Sequence, residues 1–332
     1  MMLTWLAVGA DVVRAGQAGA TIEDLLGLSV KPFAIGHRGF GDNLGEDPTR
    51  PIENTLRAVR QGFKAGVSVV EVDVQLTSED EVVVFHDDFL TEELSDGTDR
   101  LTCLNSLTRS ALHERVPWVP TLRDVLDTAR HWNERPGLMS GLMIIELKAA
   151  APLCDPDDSQ ERTIVKAVTK VVREAGMTDR VMFTSLSPAL LAVAANRAPE
   201  IVRILSISGL QFLTAEEVEQ ALGLPVTPID KRRNLGLQWA EIGVIYRLPG
   251  YRSIAEVLST STIAGVRLVE ADLFFLSSAG AAFVDTLHAF GLKVLGFTAE
   301  TSAEWFFLQS IGVDGIYTND IPFGVAHEAP IP

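Results

Sequence analysis

"NTLRAVRQGFKAGVSVVEVDVQL", residues 54–76, holds the repeating unit of this chain. Its first part, 54–66, spaces apolar residues at helical intervals, and its second, 67–76, is a β-branched run that reads as a buried strand. The same alternation continues in both directions. Upstream, "FAIGH" (33–37) supplies the strand before the helix. Downstream, "EVVVFH" (81–86) reads as a third strand. Then "TLRDVLDTARHWN" (121–133) precedes "LMIIEL" (142–147), and "SQERTIVKAVTKVVREAG" (159–176) precedes "RVMFTSL" (180–186). "SPALLAVAANRA" (187–198) leads to "IVRILSI" (201–207), "AAFVDTLHAFG" (281–291) to "LKVLGFT" (292–298), and "SAEWFFLQSIG" (302–312) to "VDGIYTND" (313–320). Repeated strand–helix units mean βαβ connections and a parallel sheet. About eight of them over roughly 290 residues fit an α/β fold of the (β/α)8 barrel type better than a doubly wound sheet. One of the candidate strands is expected to lie outside the barrel.

Two stretches break the rhythm. One, about 87–120, follows the third strand; the other, about 208–265, lies late in the chain. Both read as loop insertions on a barrel spanning 31–325, with an N-terminal helical extension over 1–30 and a tail over 326–332. The opening "MMLTWLAVGADVVRAG" (1–16) has no basic n-region and is broken by Asp11, so it reads as an amphipathic helix rather than a signal peptide. No apolar run approaches the ~18 residues of a membrane span. A cytoplasmic protein is therefore expected. Cys103 and Cys154 lack a C-x-x-C context, so neither a disulfide framework nor a zinc site is expected, and a reducing compartment is.

A chain of 332 residues, 47% of them hydrophobic, supports a sizeable core. Its net charge of −16 argues against nucleic acid or an anionic membrane as the main partner. The informative charges sit at strand ends. His37 and Arg38 close the first strand, Glu71 and Asp73 lie on the second, His86 and Asp87 close the third, and Glu146 and Lys148 close the fourth. Residues i and i+2 of a strand share a face, so Glu71 projects with Asp73 and Glu146 with Lys148. In a barrel these ends converge on one mouth. Three convergent carboxylates repel one another unless a hard cation, Mg2+ or Ca2+, joins them through oxygen. Two histidines beside them can exchange protons near neutral pH, and Arg38 and Lys148 can hold an anionic phosphate. That set suits phosphoryl chemistry on a small molecule.

"GHRG" (36–39), "IENT" (52–55), "VEVDVQLT" (70–77), "VVVFHDD" (82–88), "VPTLRDVL" (119–126), "IELK" (145–148) and "GVDGIYTND" (312–320) together resemble the glycerophosphodiester phosphodiesterase family, most closely its glycerophosphocholine-type branch. The resemblance runs from about 33 to 322. It implies metal-dependent hydrolysis of glycerophosphodiesters to sn-glycerol 3-phosphate and an alcohol. Glu71, Asp73 and Glu146 would hold the metal, and His37 and His86 would be the acid/base pair. His86 would protonate the leaving alcohol, and His37 would activate the attacking oxygen of water or of the substrate's own glycerol hydroxyl. Arg38 and Lys148 would contact phosphate. Glu53 would either lie near the metal or pair with Arg38. The chain departs from the family pattern at Phe297, where a Trp is usual, and at Glu300, which ends a run that usually carries Asn.

Rival readings are a phospholipase D-like lyase of the same barrel acting on lysolipids or sphingolipids, a non-catalytic phosphodiester-binding barrel, and an enolase-type metal barrel. The last places its carboxylates on later strands. Ser185 is a candidate substrate contact. "DKRR" (230–233) reads as a solvated basic patch, and Trp239, Tyr246 and Tyr251 as core or as an aromatic wall for a choline head. His113, His131, His288 and His327 read as structural or solvated.

Overall fold

The computed structural model describes residues 19–28, 32–93, 99–135, 139–151, 153–157, 159–213, 217 and 250–328. Its strands are β1 Phe33–Gly36, β2 Val69–Leu76, β3 Val82–Val84, β4 Phe89–Glu93, β5 Asp99–Cys103, β6 Leu142–Leu147, β7 Val181–Ser185, β8 Val202–Ile207, β9 Leu268–Asp272, β10 Lys293–Ala299 and β11 Gly315–Thr318. All except β3, β4 and β5 run parallel, and β1 pairs with both β2 and β11, so the wall closes into an eight-stranded barrel. The helices are α1 Ile22–Leu26, α2 Leu56–Ala65, α3 Arg109–Arg115, α4 Leu122–Asn133, α5 Gln160–Ala175, α6 Pro188–Arg197, α7 Ile254–Ala264, α8 Leu273–Ala289, α9 Ser302–Ser310 and α10 Ile321–His327. With α1 and α3 set aside, these follow or separate the barrel strands as an outer layer. The expected (β/α)8 architecture is the one observed.

Alternation along the strands sorts residues into two cores. Val70, Val72 and Val74 of β2 face the helix layer with Met143 and Ile145 of β6. Phe33, Ile35, Val69, Leu142, Ile144, Met182, Ile204, Leu268 and Leu295 fill the lower barrel interior. Ile22, Leu25 and Leu26 of α1 join that inner cluster, so this helix plugs the floor of the barrel. Thr21 and Asp24 form a capping box at its start. The expected N-terminal extension therefore contributes to the barrel core; its residues 1–18 lie outside those described.

Four expectations need correction. First, 81–86 is not a barrel strand. β3 runs antiparallel to β2, with Val84 opposite Val74, after a turn in which Asp80 takes φ 59°. A run of valines reads alike in a parallel wall and a hairpin. The first insertion thus begins between the second and third barrel strands and carries the antiparallel ribbon β4–β5. Second, β9 was not among the expected strands, and the late insertion ends earlier than 265, because α7 belongs to the barrel layer. "DKRR", Trp239 and Tyr246 lie outside the described residues, whereas Tyr251 is buried against Phe212, with ring centroids 5.6 Å apart. Third, 321–327 is helical, and the Glu328 carboxylate accepts the Ala34 N–H at 2.9 Å, so what reads as a tail clasps β1; residues 329–332 are not described. Fourth, Cys103 and Cys154 form a disulfide, with their Cα atoms 5.5 Å apart. It joins the end of β5 to the loop beyond Lys148. Sequence spacing carries no information about that proximity. Among the described residues no helix is long and apolar enough to cross a membrane.

Candidate active site

One step of two residues above the apolar inner layer, the barrel changes character. Ile35 is followed inward by His37, Val69 by Glu71, Ile144 by Glu146, Met182 by Thr184, Ile204 by Ser206 and Leu268 by Glu270. The upper interior is therefore polar and opens at the C-terminal ends of the strands, where barrels of this kind build their sites.

Glu71, Asp73 and Glu146 each bring a carboxylate oxygen within 4.8 Å of the others. Parallel pairing places Asp73 opposite Glu146. Glu71 and Asp73 are almost fully buried. Burial and the neighbouring Asp73 and Glu146 push Glu71 well above the usual carboxylate range. Burial, with Asp73 beside it, pushes Glu146 up to about 8 despite Lys148. Burial also opposes ionisation of Asp73, but Lys148, His86 and Arg38 outweigh it and hold that carboxyl well below its ordinary value. Two acids forced toward protonation around an ionised third form a donor set short of positive charge, and the donors are all oxygen. They fit a hard divalent cation.

The two cations expected here already face these acids. Lys148 Nζ lies 3.3 Å from Asp73 Oδ1 and 3.5 Å from Glu146 Oε1. Arg38 Nη1 donates to Glu53 Oε1 at 3.0 Å and Oε2 at 3.2 Å, with its Nε 3.7 Å from Asp73. Glu53 pairs with Arg38, as one of the two expectations for it has it. Arg38 itself adopts φ 48°, which aims its backbone N–H at Glu71 Oε2, 2.9 Å away. Gly39 follows at φ 96°, and a Cβ there would lie 2.7 Å from Ala58 Cβ on α2. The tetrapeptide "IENT" divides its labour. Glu53 holds Arg38, Asn54 Nδ2 donates to Asp73 Oδ2 at 2.8 Å while its Oδ1 accepts the Asp73 N–H at 3.1 Å, and Thr55 caps α2.

His37 stands at the end of β1. Its Nδ1 is 2.7 Å from Asn319 Oδ1, an atom that also accepts the Asp42 N–H at 3.1 Å. An oxygen accepting there requires Nδ1 to carry the proton, which leaves Nε2 as the unprotonated nitrogen. Burial and the adjacent Arg38 push the imidazole down to about 3, so it is neutral at physiological pH. His86 arrives by a different route. The β2–β3 hairpin returns the chain toward the barrel, and Phe85 N–H donates to Asp73 O at 3.1 Å, bringing His86 level with the carboxylates. Its Nδ1 lies 2.7 Å from Asp87 Oδ1, which fixes the ring. Gln75 Nε2 pins this segment through the carbonyls of Phe85, His86 and Asp87, at 3.2, 2.9 and 2.7 Å.

All eight candidate residues thus surround one mouth. Ser185 does not serve it, because its hydroxyl donates to Leu147 O at 2.8 Å and accepts the Ser187 N–H at 3.1 Å inside the wall. His288 pairs with Asp314 and His327 stacks on Phe323, both structural. Sequence reasoning missed Asn54, Gln75, Asp87 as an orienter of His86, Asn319 and Glu270. The first four lie inside or beside quoted motifs, but nothing local reveals their partners. Glu270 was within reach, since "RLVEAD" (267–272) alternates apolar and polar residues and places the glutamate on the same face as Leu268.

With this geometry established, the chain was compared with known proteins. Residues 37–322 match the Glycerophosphoryl diester phosphodiesterase family. Human glycerophosphodiester phosphodiesterase 1 is 34% identical over 103 residues, 28% of this chain and 29% of that protein, so the match spans under a third of the relative's length. A Silicibacter pomeroyi protein assigned to the glycerophosphoryl diester phosphodiesterases superposes with a TM-score of 0.66 at 23% identity, covering 92% of this chain and 96% of the other. An Oleispira antarctica phosphodiesterase, solved with the product sn-glycerol-3-phosphate, superposes at 0.60 with 20% identity over 89% and 96% of the two chains. At these identities the two superpositions speak for the fold.

Proposed function

We propose, because this chain belongs to the glycerophosphoryl diester phosphodiesterase family, that it hydrolyses glycerophosphodiesters to sn-glycerol 3-phosphate and an alcohol with one divalent cation, Mg2+ or Ca2+. The observation that carries the reading is a cluster of three carboxylates flanked by two histidines, each with Nδ1 held by an acceptor. Glu71, Asp73 and Glu146 would hold the cation, which when bound offsets their mutual repulsion and draws charge from the phosphate oxygens.

His37, neutral and with Nε2 free to accept, takes the proton of the attacking oxygen as it bonds to phosphorus. The attacker is water or the glycerol hydroxyl of the substrate itself; in the second case water opens the resulting cyclic phosphate. His86 Nε2 gives a proton to the alcohol oxygen as its bond to phosphorus breaks. Asn319 and Asp87 keep the two rings in the tautomers this exchange needs. Arg38 and Lys148 lie among the carboxylates, and their charge is reinforced there. Burial works against both, but Asp73 and Glu53 beside Arg38, and Glu146 and Asp73 beside Lys148, hold them above their ordinary values. They stay cationic, and the donors left over from the carboxylates bind the phosphate. The Cys103–Cys154 bridge favours an oxidising compartment over the cytoplasm.

The test is release of sn-glycerol 3-phosphate from glycerophosphocholine, glycerophosphoethanolamine and glycerophosphoinositol, with EDTA, Mg2+ or Ca2+, for wild type and His86→Ala. Cation-dependent release lost in the variant is the expected result. Folded, cation-loaded protein that releases nothing from any diester would leave a binding role instead.

A further inference from the structure

One buried carboxylate of the upper barrel has no task in this scheme. Glu270, on β9, is 5% exposed and faces inward. Its Oε1 accepts the Thr184 hydroxyl at 2.7 Å, its Oε2 accepts the Tyr317 hydroxyl, and the Ser206 hydroxyl also hydrogen-bonds to it. Four strands, β7, β8, β9 and β11, therefore contribute to holding one acid. Both carboxylate oxygens are engaged by hydroxyl donors, so Glu270 is not arranged as a ligand. No Lys, Arg or His among the described residues forms an ion pair with it. Carboxylates of the cluster act on it and on its partner: Asp73 acts on Glu270, Glu270 acts on Glu146, and Glu71 and Glu146 act on the Tyr317 hydroxyl that Glu270 accepts. The glutamate thus shares the polar step of the barrel interior with Glu71 and Glu146, close enough to the three-carboxylate cluster to act on it.

A buried carboxylate without a cationic partner is costly, and an apolar residue of similar size would serve the core better. The inner layer one step down is filled that way, by Leu268 on the same strand. A fourth negative charge beside an acidic cluster is a liability unless a cation is bound there. Then it becomes an asset, because the attraction acts in a dry interior with little screening. Tyr317 extends the arrangement to the proton-transfer group, since its ring packs edge-on to His37 with centroids 6.4 Å apart.

We propose that Glu270, clasped by Tyr317, Thr184 and Ser206, is a positioning residue of the cation site: it strengthens binding of a divalent cation by Glu71, Asp73 and Glu146 without ligating it, and it anchors the ring that backs His37. The inference rests on the cation reading given above. Outer partners that hydrogen-bond a metal's ligands are worth about 10–100-fold in affinity; Glu270 acts through its charge instead, and an effect at the lower end of that range is expected.

The test is calorimetric titration of the metal-free protein with Ca2+ and with Mg2+, alongside thermal unfolding with and without cation, for wild type, Glu270→Gln and Glu270→Asp. Glu270→Gln keeps the shape and removes the charge; its oxygen still accepts, while its NH2 donates, so the hydroxyl on that side turns to accept. The variant is expected to bind cation at least about 10-fold more weakly, with the metal-free midpoint unchanged or raised and the cation-induced rise in midpoint reduced. Glu270→Asp keeps the charge and is expected to stay within about 3-fold of wild-type affinity, even where its shorter reach lowers the metal-free midpoint. That variant carries the test if Glu270→Gln does not fold; an Asp variant that folds but loses about 10-fold in affinity overturns the charge argument. A Gln variant that binds cation like wild type while its metal-free midpoint falls makes Glu270 a structural hydrogen-bond hub and overturns the proposal. Wild-type protein that binds neither cation removes the cation reading itself, a result distinct from failure at Glu270 alone.

Discussion

Removing the Cys103–Cys154 bridge by Cys103→Ser with Cys154→Ser should destabilise the fold by a calculable amount. The two residues are separated by 51 positions. A cross-link closing a loop of that length removes about 14 cal/mol/K of entropy from the unfolded chain, or about 4 kcal/mol at 25 °C. Residual structure in the unfolded chain makes this an upper value. The sign is firm: the unfolded chain gains freedom, and the folded chain loses only a local tie between β5 and the loop after Lys148. Equilibrium urea unfolding of the oxidised protein and the double variant measures it. With a slope near 3 kcal/mol/M, the midpoint should fall by roughly 1 M. Activity should fall as well, because the bridge links the ribbon that follows His86 to the loop that follows Glu146 and Lys148. Equal midpoints, or two thiols reactive in the native wild type, would refute the reasoning and restore the reduced pair that the sequence suggests.

Replacing Asn319 by Ala removes the acceptor that fixes the His37 tautomer, and kcat/KM should drop by at least about 10-fold out of the 10²–10⁴ that a general base contributes; a loss under twofold would show that His37 is oriented otherwise. His37 in metal-free protein should give no imidazole titration by NMR between pH 5 and 8, because burial and Arg38 put it at about 3. Between its folded value and the ordinary 6.5, the unfolded chain binds the extra proton, so this residue makes stability rise with pH across that window and fall on acidification. A His37→Asn variant should therefore lose less stability on acidification than wild type. Gly39→Ala combines φ 96° with a Cβ 2.7 Å from Ala58 Cβ, and should cost roughly 1–3 kcal/mol in urea unfolding; a neutral result would mean that α2 shifts freely away from the loop. Gln75→Ala should lower kcat more than it raises KM, because it releases the carbonyls that hold His86 in place while leaving the carboxylates untouched.

Much of the site follows from local pattern. A strand of "VVEVDVQL" can bury its valines against helices only by turning Glu71 and Asp73 to the opposite face, and "LMIIELK" does the same for Glu146. Period-two geometry settles those orientations before any tertiary contact forms. Applied to "RLVEAD", the same rule would have turned Glu270 inward too. The repetition of strand and helix settles the barrel, because parallel neighbours need crossovers and these segments supply them.

Tertiary structure alone decided the rest, for a single reason. Periodicity tells which face a side chain occupies but not what stands opposite. "EVVVFH" has the same pattern whether it joins the wall or folds back, and only the hairpin against β2 carries His86 down to Asp73. Asn319 reaches His37 across 282 positions of chain, Tyr317 reaches Glu270 across 47, and Cys103 meets Cys154 across 51. Each of those pairings comes from closing the barrel and packing its loops, events that bring distant strand ends to one mouth and leave no mark on the residues beside them in sequence.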